Sequence, residues 1–294
     1  MDGIVLISKP LGLTSFDVIA CLRRMFKQKD IGHTGTLDPL ADGLLVVALG
    51  KALRTVEYME NYDKGYIATV SFGQATSTYD REGQVTESGN PSVVTLNRLQ
   101  AALKMFSGDI YQKPPIYSAL KQNGRKLCDL ARSGEPVEVK PRLVHIHAIS
   151  LLGFNGQEAV LEISCSKGTY IRSLAHDLGQ SLSCPAHLSS LTRTFCGPFR
   201  FEEAYSLQDL NLASEEGSLE RYVLPLDSGL SYMVQTSVDG NALLDLKNGR
   251  SVFYAPPDGW SDRETVRVYG PGFLAAICRW DNETSLLYPQ KVFI

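Results

Sequence analysis

Apolar residues run without interrupting polar positions from 44 to 49, between Gly43 and Gly50. A short continuous run bounded by glycines suits a strand covered on both faces. Residues 66–72 alternate in the strand manner, 143–154 and 159–164 have strand character, and 188–194 reads as extended. Helical spacing shows elsewhere. Ile19, Leu22, Met25 and Phe26 follow Thr14 and Asp17, a capping box that opens a helix, with Arg23, Arg24 and Lys27 on its other side. Thr95 predicts the cap of a helix to Met105 with Leu96, Leu99, Leu103 and Phe106 as its apolar stripe. Residues 52–61 and a segment from about 171 to about 182 also read as helix. Short turns and single helices separate the strands, which points to an α+β domain with a mixed, largely antiparallel sheet. From about residue 243, glycine turns and short strands recur, the pattern of a small β-rich module. The chain therefore divides into 1–232 and 233–294, the boundary falling between 224 and 235.

At 294 residues and 44% hydrophobic content, the chain buries a large core. No apolar run approaches the length of a membrane span, and residues 1–6 lack the basic start and long apolar region of a signal peptide, so a cytoplasmic location is expected. Six cysteines occur without a Cys-x-x-Cys pair and read as buried apolar residues. Cys184-x-x-His187, His176 and His145-x-His147 have no further ligand to complete a tetrahedral set, so no metal site is expected.

Net charge is −3, which taken alone argues against a nucleic-acid partner. The distribution changes that picture. Residues 113–142 hold seven basic side chains, among them Arg132, against three acids, whereas 202–221 holds six acids against one base. A basic, proline-broken and aromatic segment suits either an arm laid on a polyanion or a crossing between elements.

The chemistry-bearing stretch is Gly32-His33-Thr34-Gly35-Thr36-Leu37-Asp38-Pro39-Leu40-Ala41-Asp42-Gly43. The residue before a proline is pushed out of the helical region, so Asp38 is displayed on a loop. Composition alone reads this as an ordinary turn, with Asp42-Gly43 as a turn dipeptide.

Several segments, in order, resemble one family. They are Ser8-Lys9-Pro10 with Gly12-Leu13-Thr14-Ser15, the stretch from Gly32 through Ala41, Asp63-Lys64-Gly65-Tyr66, Pro114-Pro115-Ile116-Tyr117-Ser118-Ala119-Leu120-Lys121, and Cys165-Ser166-Lys167-Gly168-Thr169-Tyr170-Ile171-Arg172-Ser173-Leu174. Together they resemble the bacterial tRNA pseudouridine synthases of the TruB type, and the tail from about residue 237 resembles an RNA-binding PUA domain. The resemblance implies a pseudouridine-synthase catalytic domain with flanking helices, a thumb-like insertion at about 112–142 and a PUA-like C-terminal domain. It implies conversion of one T-loop uridine of tRNA, at the position numbered 55, to pseudouridine after the base is flipped out. No cofactor is expected.

Residue by residue, Asp38 matches the family's catalytic aspartate and Arg172 the arginine paired with it, which is expected to lower the carboxylate's pKa. Tyr66 matches the tyrosine that stacks on the target base, and His33 the histidine that takes the place of the flipped nucleotides. Lys9 corresponds to a positioning lysine, Tyr170 to a substrate-contacting tyrosine and Leu191 to an apolar wall. Arg54 stands where the best-known members carry a lysine, and a phosphate contact is expected of it. The implied partner is tRNA, held at the T arm and acceptor stem by a monomer that needs no protein partner. Three rivals are a non-catalytic tRNA-binding or folding protein, a glycoside hydrolase with Asp38 and Asp42 as paired carboxylates, and the guide-RNA-directed branch of the same superfamily.

Overall fold

The computed structural model describes residues 1–118, 121, 122, 124–127, 139–256 and 259–294. The chain begins as strand β1 (Gly3–Lys9), turns through helix α1 (Ser15–Met25) and returns as β2 (Ile31–His33) and β3 (Ala41–Leu49). The predicted capping box forms: Thr14 Oγ1 accepts from the Asp17 amide at 3.0 Å, and Asp17 Oδ2 accepts from the Thr14 amide at 2.8 Å. It satisfies two otherwise orphaned donors and sets where α1 starts.

β3 pairs antiparallel with β1 and β2, and its side chains divide by parity. Leu44, Val46 and Ala48 pack in one cluster with Ile4 and Leu6. Leu45, Val47 and Leu49 pack in another with Val5, Ile7, Val18, Ile19 and Leu22. Successive strand side chains face opposite ways, so a strand buried on both faces must be apolar at each position.

After β3 the helix expected over 52–61 is only partly α. Gly50–Thr55 winds as a 3₁₀ turn before the short α2 (Val56–Met59). Thr55 donates its hydroxyl to the Ala52 carbonyl at 2.8 Å, a local bond that competes with the α ladder. β4 (Lys64–Phe72) follows, then the hairpin of β5 (Gln74–Thr76) and β6 (Val85–Ser88), and α3 (Leu96–Met105). Thr95 caps α3 as predicted. Its buried stripe is Leu99, Ala102 and Leu103, while Leu96, expected in that stripe, is exposed.

The chain continues through β7 (Gly108–Gln112), the short antiparallel pair β8 (Lys121–Gln122) and β9 (Arg125–Lys126), β10 (Arg142–Phe154) and β11 (Glu158–Cys165). Much of the insertion expected at 112–142, including Arg132 and the motif residues Ala119 and Leu120, lies outside the described residues. Then come α4 (Ile171–Ser181), β12 (Ala186–Cys196), β13 (Phe199–Arg200) and α5 (Leu207–Glu216). The main sheet is ordered β1-β3-β12-β4-β11-β10-β7. Its pairings are antiparallel except that of β12 with β3. This is the mixed, largely antiparallel α+β arrangement that the pattern predicted.

The parallel contact corrects one expectation. Asp42-Gly43, read as a turn, lies inside β3, where Gly43 pairs with Arg193 of β12. Gly43 has φ +96°, and a Cβ there would sit 2.4 Å from the Arg193 carbonyl oxygen and 2.6 Å from its nitrogen. The glycine serves the close approach of two backbones, not a reversal of the chain.

A second, PUA-like sheet closes the chain. β14 (Val234–Ser237), α6 (Gly240–Lys247), β15 (Val252–Phe253), β16 (Thr265–Gly270), β17 (Phe273–Asp281) and β18 (Leu286–Val292) give strand order β14-β16-β17-β18-β15. It docks on the main sheet: Leu274, Ile277 and Phe293 share the cluster of Leu44 and Val46.

Candidate active site

Three strands meet where β12 lies between β3 and β4. Arg193 is paired with Gly43 on one side and with Tyr66 on the other, and Leu191 pairs with Ala41 and Ala68. The Asp38 loop leads into β3 at this point, and α4 begins beside it. The result is a cavity of about 400 Å³ whose walls include Asp38, Tyr66, Tyr170, Arg172, Leu191 and Arg193.

The loop that carries Asp38 is pinned from both sides. Buried Ser15 donates its hydroxyl to the Leu37 carbonyl at 3.1 Å and accepts from the Leu37 amide at 2.8 Å. The Gly12 amide donates to the Pro39 carbonyl at 2.9 Å, and the Ala41 amide to that of Asp38 at 3.1 Å. These bonds hold a segment that, by composition, has no regular structure of its own.

Asp38 Oδ2 lies 3.0 Å from Arg172 Nε, the arginine side chain being 7% exposed and the aspartate 39%. The carboxylate is thus anchored yet open to the cavity. Arg172 does more than pair with it. Nη1 reaches Asp80 Oδ2 at 3.2 Å and the Thr78 carbonyl at 3.3 Å, and Nη2 donates to the Tyr117 carbonyl at 3.0 Å. A cation in the first turn of a helix opposes the helix dipole, and two carboxylates with two carbonyls offset that cost. Asp80 is in turn fixed by the Thr78 hydroxyl at 2.5 Å and the Glu82 amide at 3.0 Å, both donating to Oδ1.

The expected direction of the Asp38 pKa is corrected. Desolvation by burial raises it above the ordinary carboxylate value; the Arg172 charge opposes this, and the Asp80 charge adds to it. Burial is the largest of these effects and, helped by the repulsion of Asp80, it prevails over the guanidinium.

Tyr66 is buried, and its hydroxyl is pushed up to about 12 by burial, with the Arg193 charge opposing. Arg193 is itself 1% exposed; it donates from Nε to the Leu44 carbonyl at 2.7 Å and from Nη2 to the Gly35 carbonyl at 3.1 Å, tying the loop to β3. Tyr170 caps α4 without a side-chain bond. Gln112 takes that place, accepting from the Tyr170 amide at 2.7 Å and donating to its carbonyl at 3.0 Å.

The other sequence candidates stand behind or beside the cavity. Lys9 is wholly buried, with its amine donating to the Pro10 and Leu13 carbonyls at 2.9 and 2.6 Å. Burial lowers its pKa, which the charges of Asp42 and Asp38 oppose. His33 lies in β2, half-buried, and burial followed by the Arg193 charge lowers its pKa. Arg54 is not brought to the cavity. It donates to the Val292 carbonyl and lies over the Phe293 ring, 5.5 Å from its centroid.

Ser15, Asp80, Gln112 and Arg193 are structural partners of the site that sequence reasoning missed. Asp80 sits in the polar stretch between β5 and β6 like any turn acid, and Arg193 lies in the segment 188–194, which reads only as extended. Only Ser15 carried a signal, since it lies in the motif Gly12-Leu13-Thr14-Ser15.

The chain is similar to known proteins along nearly its whole length. The TruB family pseudouridylate synthase N-terminal domain matches residues 23–171, and the tRNA pseudouridylate synthase B C-terminal domain matches residues 172–231. A tRNA pseudouridine synthase B of Dehalococcoides mccartyi is 40% identical over 296 residues, covering 100% of this chain and 97% of its own. One of Clostridioides difficile is 37% identical with 100% of both chains covered. Among solved structures, a crystal structure of a Cbf5-Nop10-Gar1 complex contains a chain with TM-score 0.75 and 25% identity, covering 99% of this chain and 85% of that one. A structure of an H/ACA RNP bound to a substrate RNA containing 2'-deoxyuridine gives TM-score 0.74 at 23% identity, over 99% of this chain and 85% of that one, which shows the shared fold. The chain belongs to the TruB family of pseudouridylate synthases and is an isomerase.

Proposed function

We propose that this enzyme converts the T-loop uridine numbered 55 of tRNA to pseudouridine, with Asp38 as the catalytic carboxylate. The observation that carries the reading is Asp38 itself, open to a cavity and held at 3.0 Å by an otherwise buried Arg172. Isomerisation cuts the N1–C1′ bond, turns the uracil and joins C5 to C1′. The C5 proton is lost and N1 gains one, so no oxidant or group donor enters the balance. Asp38 can serve by attacking C1′, by adding to C6 or by removing the 2′ proton.

The surrounding residues suit a flipped base. The cavity falls in the size range of small-molecule sites, and a base must leave its stack to enter it. Tyr66, with its hydroxyl pushed up to about 12, offers a ring face rather than a base near neutrality. Leu191 supplies an apolar wall and Tyr170 a second aromatic contact. His33, kept neutral by its lowered pKa, suits a ring that fills the gap left in the loop. Lys9 positions the loops from behind, and Arg54 holds the C-terminal strand instead of standing in the cavity.

On this reading residues 1–232 form the catalytic domain, the insertion at 112–142 covers the T arm, and 233–294 grips the acceptor stem. The enzyme acts in the cytoplasm, as a monomer, on bare tRNA. Relatives at 37–40% identity over essentially full length support a stand-alone synthase over the branch of the Cbf5 complexes, at 23–25%.

The test is tRNA labelled with tritium at uridine C5. Wild-type protein is expected to release tritium, and Asp38→Asn to release none while binding tRNA as wild type does. Binding without release by the wild type would leave a tRNA-binding or folding protein. Release only when guide RNA and further proteins are added would place the chain in the guide-directed branch.

A further inference from the structure

Tyr79 and His176 carry no role in the chemistry described so far, yet they bracket its cation. Their rings stack with centroids 4.0 Å apart and planes 14° from parallel. Tyr79 has φ +63°, in the left-handed region that a bulky residue adopts only when its surroundings hold it. The residues on either side of it, Thr78 and Asp80, supply the carbonyl and the carboxylate that accept from Arg172 Nη1 at 3.3 and 3.2 Å. His176 is four residues after Arg172 on α4, so the two project from the same face, one turn apart. The contacts close a ring. The helix carries Arg172 and His176, His176 holds Tyr79, and the neighbours of Tyr79 hold Arg172, whose Nε reaches Asp38.

Among the described residues, Nδ1 of the histidine is buried without a hydrogen-bond partner, so the stack with Tyr79 is its main orienting contact on that side. Burial also lowers its pKa, against the raising charge of Glu87, so a neutral ring faces the tyrosine. The backbone of the turn has separate support. The Leu188 amide donates to the Tyr79 carbonyl at 3.0 Å, and the Arg81 amide to the Leu188 carbonyl at 3.0 Å. Removing the ring contact should therefore loosen the turn without detaching it from β12.

We propose that the Tyr79–His176 stack is a positioning pair that sets the Arg172 guanidinium, and through it the Asp38 carboxylate, for isomerisation. The proposal rests on the role of Asp38 given above. Neither residue lines the cavity, so the pair should act on turnover and not on RNA binding.

Steady-state tritium release separates this from simple packing. His176→Ala and Tyr79→Ala, confirmed as folded by their melting transitions, are expected to lower kcat on the order of 10- to 100-fold, as slight misplacement of catalytic groups does, with KM and tRNA affinity unchanged. The double variant should be no worse than the poorer single one. His176→Phe, which restores a ring face without nitrogen, should recover most of kcat. A folded His176→Ala with wild-type kcat, a loss that His176→Phe does not recover, or a loss confined to KM would overturn the pair. If His176→Ala does not fold, His176→Leu, which fills the space without a ring, is judged by the same criteria. A wild-type protein that releases no tritium would overturn the isomerase reading instead, and the pair with it.

Discussion

Arg172 concentrates the energetic tension of the site in one guanidinium. It lies at a helix N-terminus, where a cation is unwelcome, and faces two carboxylates of which one, Asp80, is as buried as itself. Removing one partner of such a buried pair typically costs ~3–5 kcal/mol. Asp38 is different, because burial raises its pKa even with Arg172 beside it. The folded state therefore holds the Asp38 proton more tightly than the unfolded chain does. That contribution is fully present below the unfolded value of 3.8 and is lost as pH rises through the higher folded value, so the ionised carboxylate works against folding at neutral pH. Asp38→Asn is expected to melt higher than wild type at pH 7, with the difference closing as pH falls toward 3.8; thermal denaturation across that range reads it. A lower melting point for the variant at pH 7 would mean that the arginine outweighs desolvation. The residues that matter most here were legible unequally. Asp38, Arg172 and Tyr66 stand in recognisable motifs, whereas Asp80 and Arg193 act through partners far away in sequence, at the ends of contacts that only folding creates.

Helix α4 shows how one element can serve both core and site. Ile171, Leu174, Ala175 and Leu178 pack into the cluster under β4 and β11, while Arg172 and His176 turn toward the Asp80 loop. Asp177, between these faces, is pushed up to about 6 by burial. The sign is again that of a raised carboxylate. Stability is favoured below the unfolded value of 3.8 and is lost as pH rises through about 6. A shift of roughly two units corresponds to at most ~3 kcal/mol. Asp177→Asn should therefore raise the melting temperature at pH 7 and have no effect below about pH 4; an unchanged melting point at pH 7 would show that water reaches the carboxylate. Elements were more legible than sites because their causes are local. The Thr14–Asp17 box, the Thr95 cap and the unbroken apolar run of β3 each state a physical requirement within a few residues. Where the cause is distant, the local reading failed: Gly43 answers to the backbone of Arg193 on another strand.

At the scale of the whole molecule, the two sheets share one core and do not sit as beads on a linker. One face of β1 and β3 is covered by α1 and α5, through Val18, Leu22, Leu210 and Ala213. The other is covered by the second sheet, through Leu274, Ile277 and Phe293. A polar contact reinforces the junction at its rim: Lys291 pairs with Glu57 at 2.7 Å. The second sheet is thus separate in topology but not in burial, because the apolar face that the first sheet would expose is filled by the second. Cooperative unfolding follows from that sharing. The wild-type chain is expected to melt in a single calorimetric transition. Phe293, 4% exposed, is the point at which to test it, since truncating a buried phenylalanine to alanine costs ~3–5 kcal/mol. At ~2–4 °C per kcal/mol for a chain of this size, Phe293→Ala should lower that one transition by roughly 6–20 °C without splitting it. Two resolved transitions, of which the substitution moved only one, would show that the modules fold independently and that the shared cluster contributes little to holding them together.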